Sequence, residues 1–201
     1  MMQVDFIFGL GSRYSYLAAT RLQSLAARCE VRFRWHPIHS PMLFEARRNN
    51  PFTGGSEGQY DWDYRRRDAE AWARLYGVPF RDPVERLSYP ARTVALAARA
   101  AGRQDALEVM SVRLFRLIFV DDRTMFGHGE IVAEADDLGL DRQQFEADLA
   151  APGLEAEHDS DVARFARQGV FGVPTFVLED GRSFWGNDRL VLLEAALEGR
   201  I

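Results

Sequence analysis

Two serines separated by two residues, Ser12 and Ser15, stand in the stretch GLGSRYSYLA (Gly9 to Ala18), directly after the apolar run VDFIF. An apolar run, a Gly/Ser break and a helix-like run mark a strand handing over to a helix. A hydroxyl at that junction can cap the helix by accepting a backbone N–H. It can also donate to an anion, because free N–H groups and the helix dipole favour negative charge there. If the anion is a thiolate carried in by another molecule, such a charge-assisted bond lowers the thiol's pKa and raises its reactive fraction near neutral pH. Disulfide exchange by the protein itself is excluded at this turn, since a hydroxyl does not exchange with a disulfide.

Other chemistry-bearing residues read more plainly. In GVFGVPTFV (Gly169 to Val177), Pro174 follows Val173 at a strand's first residue, where proline is tolerated. His36 and His39 flank Pro37 without a third ligand nearby, so no metal site is expected. Arg65-Arg66-Arg67 is surrounded by Asp61, Asp63, Asp68 and Glu70, and reads as a solvated, salt-bridged helix face. The single cysteine, Cys29, rules out an internal disulfide and is expected to be a small core residue at the far end of the first helix.

The elements that must position these residues follow from periodicity. Val4 to Phe8 reads as a buried strand, and Tyr14, Ala18, Leu22, Leu25 and Cys29 form the stripe of a helix starting near Ser12. Val31, Phe33 and Trp35 alternate as a second strand ended by Pro37. HSPMLFEARRNNPFTGGSEG is loop-like, and helical patterns follow. They run over Asp68 to Tyr76, from Pro90 to Gly102, from Leu107 to Ile118, over Ile131 to Leu138 and over Phe145 to Leu149. Ser160 is placed as the N-cap of a helix through Val162 and Phe165. Asp180-Gly181 signals a hairpin, and Leu190, Leu193 and Leu197 mark a last helix with Asp188 at its start, where it would be a cap. This order resembles that of thioredoxin. The expected fold is α/β, a thioredoxin-like core (1–40 and 159–201) carrying an all-helical insertion (41–158).

Composition sets the class. The 201 residues carry a net charge of −5, which argues against nucleic acid as the main partner, and are 47% hydrophobic, enough for a substantial core. No apolar run approaches the roughly 20 residues of a membrane span, and MMQVDFIFGL lacks the basic start of a signal peptide. A soluble, cytoplasmic protein is expected.

Three stretches together carry a resemblance: SRYSYLA (12–18), GVFGVPTF (169–176) and WGNDRL (185–190), with DAEAWARLYGVPF (68–80) between them. With these, nearly the whole chain resembles the family of 2-hydroxychromene-2-carboxylate isomerases and kappa-class glutathione transferases, relatives of the periplasmic disulfide oxidoreductases. The resemblance implies a cis Pro174 facing the Ser12 turn, and glutathione as cofactor. It implies that Ser12 is catalytic and holds the glutathione thiolate, and that Val173 pairs with the cysteinyl backbone. Asn187 and Asp188 take the pair that binds the γ-glutamyl end, and Asn49 matches an asparagine in the loop before the helical block. It further implies a small aromatic substrate, isomerised by a borrowed nucleophile, and a homodimer.

Three departures stand out. Arg13 replaces the family's proline, Gly9-Leu10-Gly11 replaces its usual approach to the serine, and no lysine falls within Gln59 to Asp63. Arg13 is expected to be a surface arginine, with the alternative that it meets a substrate carboxylate. Two rival readings share the site: a kappa-like transferase that leaves glutathione on an electrophile, and a non-catalytic module that holds a peptide along Val173 and Pro174.

Overall fold

The computed structural model describes residues 1–48, 61–83, 91–123 and 127–201. Asn49 lies outside the described residues. The chain runs β1 (Met2–Phe8), α1 (Arg13–Cys29), β2 (Val31–Pro37) and α2 (Ser40–Ala46), then α3 (Trp62–Tyr76), α4 (Ala91–Gly102), α5 (Leu107–Phe119), α6 (His128–Asp137) and α7 (Arg142–Leu149). It closes with α8 (Pro152–Arg167), β3 (Thr175–Leu178), β4 (Ser183–Trp185), a short 3-10 turn (Asn187–Arg189) and α9 (Leu190–Leu197). This is the expected thioredoxin-like core with its helical insertion.

The four strands lie in the order β2-β1-β3-β4, with β1 parallel to β2 and antiparallel to β3, and β3 antiparallel to β4. A parallel β1–β2 pair requires a crossover, which α1 supplies. Period-2 alternation then sorts the side chains. Val4, Phe6 and Phe8 of β1 and Val31, Phe33 and Trp35 of β2 face the larger core, which α1, α9 and most of the insertion cover. Ile7 faces the other way, into a smaller core with Ile38, Leu43, Val162 and Phe165, beneath α2 and α8. Phe6 stacks on Phe8 and Phe176 at centroid distances of 4.8 and 5.2 Å, and Trp35 meets Phe6 edge-on at 4.9 Å. Burying each such ring contributes about 1.5–3 kcal/mol.

The structure departs from the sequence reading in two elements. HSPMLFEA contains helix α2, hidden from periodicity because it has only seven residues, with Pro41 in its first turn. Ser160 is not a cap: α8 begins at Pro152 and runs unbroken through Ser160, crossing the 158/159 boundary between expected core and insertion. Its buried stripe is Leu154, His158, Val162 and Phe165, and the histidine within it disguised the period. The hairpin stands as expected, with Leu178 N–H donating to Arg182 C=O at 2.9 Å around Gly181.

Candidate active site

The junction after β1 is built from local hydrogen bonds. Ser12 N–H donates to Gly9 C=O at 3.0 Å and Tyr16 N–H to Ser12 C=O at 3.0 Å, closing the first turn of α1. Ser12 has extended backbone angles (φ −95°, ψ 115°), and its Oγ accepts the Ser15 N–H at 3.2 Å. The residue is therefore the N-cap. Accepting that bond leaves the hydroxyl's own hydrogen for an outside acceptor. No acidic residue occupies the first turn of α1, and the Asp82 and Asp68 carboxylates beside it are paired with Arg13 and Tyr14. Ser15 is fully buried and turns back, its Oγ accepting the Gly9 N–H at 3.4 Å.

The second half of the site is the loop before β3. The Val173–Pro174 bond is cis. Thr175 Oγ1 donates to Gly172 C=O at 2.7 Å, and Gly186 N–H donates to Pro174 C=O at 2.9 Å. The β1–β3 ladder covers Thr175 to Leu178 only, so Val173 lies beyond it. A side-chain carbon built on Gly9 would sit 3.4 Å from Val173 Cγ2 and 3.6 Å from Ser40 Oγ. The Ser12 turn, the Val173–Pro174 loop and the start of α2 thus meet at one end of the sheet.

Asn187 and Asp188 follow from the turn after β4, and their side chains part company. Asn187 is buried, its backbone carbonyl accepting from Tyr76 Oη at 3.2 Å and its Nδ2 lying 3.5 Å from the same oxygen. Asp188 is open to solvent and, among the described residues, makes a loose contact to Arg189 at 3.7 Å. It is not the expected helix cap. Gly186 is the residue before the 3-10 turn, Arg189 the one before α9, and neither start has a side-chain cap. Gly186 has φ +112°, and a Cβ there would overlap the Asp188 carboxylate, so this turn needs glycine. Phe171 and Trp185, both exposed, meet at a tilt with ring centroids 4.9 Å apart beside this turn.

Arg13 corrects the sequence reading. It is buried, not a surface arginine, and its Nη1 lies 2.8 Å from Asp82 Oδ2, with side-chain exposures of 3% and 4%. Its guanidinium also stacks over Trp62 at 5.5 Å. An arginine already neutralised in the interior is poorly placed to receive a substrate carboxylate. Arg65 likewise turns inward from the expected solvated face, lying over Tyr14 at 5.5 Å and Trp62 at 5.6 Å, whereas Arg66 pairs with Asp63 at the surface. Tyr14 Oη donates to Asp68 at 2.8 Å, and burial followed by this carboxylate pushes the phenol far above its ordinary pKa. The first turn of α1 is thereby clamped to α3. None of these long-range partners has a local signal in the sequence.

The histidines serve other ends. His36 Nε2 lies 2.7 Å from Asp5 Oδ1. His158, fully buried, accepts the His39 N–H on Nε2 at 3.0 Å and pairs through Nδ1 with Asp159 at 2.9 Å. Cys29 is half-buried rather than enclosed, and burial, with Glu194 and Glu198 beside it, pushes the thiol's pKa up, as befits an unreactive residue. Among the described residues no helix is long and apolar enough to cross a membrane.

A family profile described as a DSBA-like thioredoxin domain matches residues 3–198. A 2-hydroxychromene-2-carboxylate isomerase of Pseudomonas putida is 31% identical over 209 residues, covering 100% of this chain and 96% of that protein. Another, from Sphingobium xenophagum, is 30% identical, covering 96% and 97%. A solved structure of a 2-hydroxychromene-2-carboxylate isomerase superimposes with a TM-score of 0.79 at 29% identity, over 99% of this chain and 95% of that one.

Proposed function

Since the chain belongs to the 2-hydroxychromene-2-carboxylate isomerase family, with a DSBA-like thioredoxin domain, we propose that it is a glutathione-dependent isomerase of a 2-hydroxychromene-2-carboxylate-type substrate in aromatic degradation. The observation that supports the reading is the close approach of Gly9, the start of the turn that Ser12 closes, to Val173 before the cis Pro174, in a turn where serines stand in place of redox cysteines. A hydroxyl cannot reduce a disulfide, but it can stabilise a thiolate supplied by a bound molecule.

The residues present suit glutathione chemically. Ser12 offers an O–H donor at a positive helix end. Val173 offers backbone groups outside the ladder, suited to strand-like pairing with a peptide. Asp188 offers an exposed carboxylate for the γ-glutamyl ammonium, whereas buried Asn187 supports this subsite by tying its turn to Tyr76 of α3. When bound, glutathione supplies the nucleophilic sulfur. Ser12 would hold its charge, the N–H groups opening α1 would add to that field, and Val173 and Asp188 would bind its peptide backbone and γ-glutamyl end. The reading includes a homodimer and a cytoplasmic location.

Product analysis tests it. A 2-hydroxychromene-2-carboxylate should interconvert with its open-chain isomer only when glutathione is present, with free thiol unchanged at the end. Stoichiometric loss of thiol would make the chain a transferase, and no thiol-dependent turnover would leave a peptide-holding module.

A further inference from the structure

Away from Ser12, a cavity of about 270 Å³ opens between the flank of α1, the segment after α3 and α5. Tyr16, Ala19, Pro79, Val112, Val120 and Arg116 line it. At a rise of about 1.5 Å per residue, Ala19 lies roughly 10 Å along α1 from the Ser12 cap. The two places are therefore different sites on one helix.

The walls define what could enter. Apolar groups from Ala19, Pro79, Val112 and Val120 dominate, and Val112 is half exposed, an apolar surface left to water at the rim. Two hydroxyl hydrogens nearby are already committed: Tyr16 Oη donates to Pro79 C=O, and Thr20 Oγ1 donates to Leu17 C=O. Among the described lining residues, the remaining side chain with a polar group is Arg116. Its side chain is 66% exposed, and its carboxylate contact, to Asp121, is a loose 3.7 Å. Its charge reaches the cavity wall, where it partly opposes the burial that pushes the Tyr16 phenol up to about 12. The volume exceeds the roughly 150 Å³ that accommodates a benzene molecule in an apolar protein cavity. It falls near the lower end of small-ligand pockets, about 300 Å³. One ring or two fused rings fit that space.

We propose that this cavity is a second, non-catalytic binding site for a small aromatic carboxylate, its rings between α1 and α5 and its carboxylate on Arg116. An occupant would bridge the thioredoxin-like core and the helical insertion through α1, the helix that Ser12 caps. The assignment does not depend on what Ser12 does.

The probes are 2-naphthoate and its uncharged counterpart 2-naphthamide, added to the full chain with ¹³C-labelled alanine and valine methyls. The methyls of Ala19, Val112 and Val120 should shift on titration with 2-naphthoate, and shift equally in Ser12→Ala. The acid should bind roughly tenfold more tightly than the amide, in keeping with a charge-assisted contact at a partly exposed arginine. Arg116→Gln, at an exposed position, should remove that advantage and leave the amide's affinity unchanged. Absence of shifts at these methyls with millimolar probe overturns the proposal, as does equal affinity for acid and amide. Broadening of these methyls with protein concentration alone would make the groove an interface between copies, and would also overturn it.

Discussion

Replacing Arg13 with Met removes one half of a buried ion pair beside the Ser12 turn, and its cost can be worked out. The Arg13 and Asp82 side chains are 3% and 4% exposed and 2.8 Å apart, so the Asp82 carboxylate would lose its Arg13 partner while staying out of water. Removing one partner of such a pair costs about 3–5 kcal/mol. The lost stacking on Trp62 adds a smaller amount, roughly 0.5–2 kcal/mol, offset in part by the methionine refilling the arginine's stem. For a chain of this length, each kcal/mol lowers Tm by about 2–4 °C, so a fall on the order of 10 °C is expected. Urea unfolding followed by circular dichroism gives the free energy directly, provided that the m-value is unchanged. The double variant Arg13→Met/Asp82→Leu should recover most of the loss, because two apolar groups of similar volume leave no buried charge behind. A loss under 1 kcal/mol in the single variant would refute the reasoning, since it would mean that water reaches the pair. A double variant as unstable as the sum of the two singles would refute it equally.

Other outcomes follow from the same geometry. His158 is buried, and burial holds its pKa below the ordinary value of about 6.5, as it does for His39. The unfolded chain then takes up protons first, so stability is fully present above about pH 6.5 and falls as pH drops below it. Urea midpoints between pH 8 and 5 should show that decline, and His158→Gln should flatten it; an unchanged slope would acquit His158. Asp188→Ala should weaken glutathione binding about fivefold, near 1 kcal/mol for an exposed hydrogen-bonded charge, by calorimetry. Unaltered affinity would remove Asp188 from the subsite. Light scattering at micromolar concentration should give the mass of a homodimer, and a monomer's mass would reject that part of the reading.

Much of this was legible because local rules were enough. The alternation at Val31, Phe33 and Trp35, the stripe behind Ser12 and the Asp180-Gly181 turn each depend on neighbours in the chain, and each element forms where its pattern lies. The cis Pro174 came from resemblance, since no local rule distinguishes it. What stayed hidden depends on partners far apart in sequence. Arg13 reads as a surface residue until Asp82 and Trp62 are beside it, and the burial of Asn187 against Tyr76 has no local signal. Helix α2 and the first half of α8 were obscured for a different reason. A seven-residue helix with proline in its first turn, and a stripe interrupted by a buried histidine, give periodicity little to count.

The central claim is that Ser12, and not Ser15, holds a thiolate. Ser12 caps α1 with its own hydrogen available, whereas Ser15 is fully buried with its oxygen turned toward the Gly9 N–H. The most direct test is the ultraviolet thiolate titration of glutathione bound to the wild type, Ser12→Ala and Ser15→Ala. A hydrogen bond to an anion is worth about 1.5–3 kcal/mol, and one pKa unit corresponds to about 1.4 kcal/mol. The bound thiol's pKa should therefore rise by roughly one to two units in Ser12→Ala, with turnover lower by about ten- to a hundredfold, and change little in Ser15→Ala. Equal shifts in the two variants, a larger shift in Ser15→Ala, or no shift in Ser12→Ala would contradict the claim.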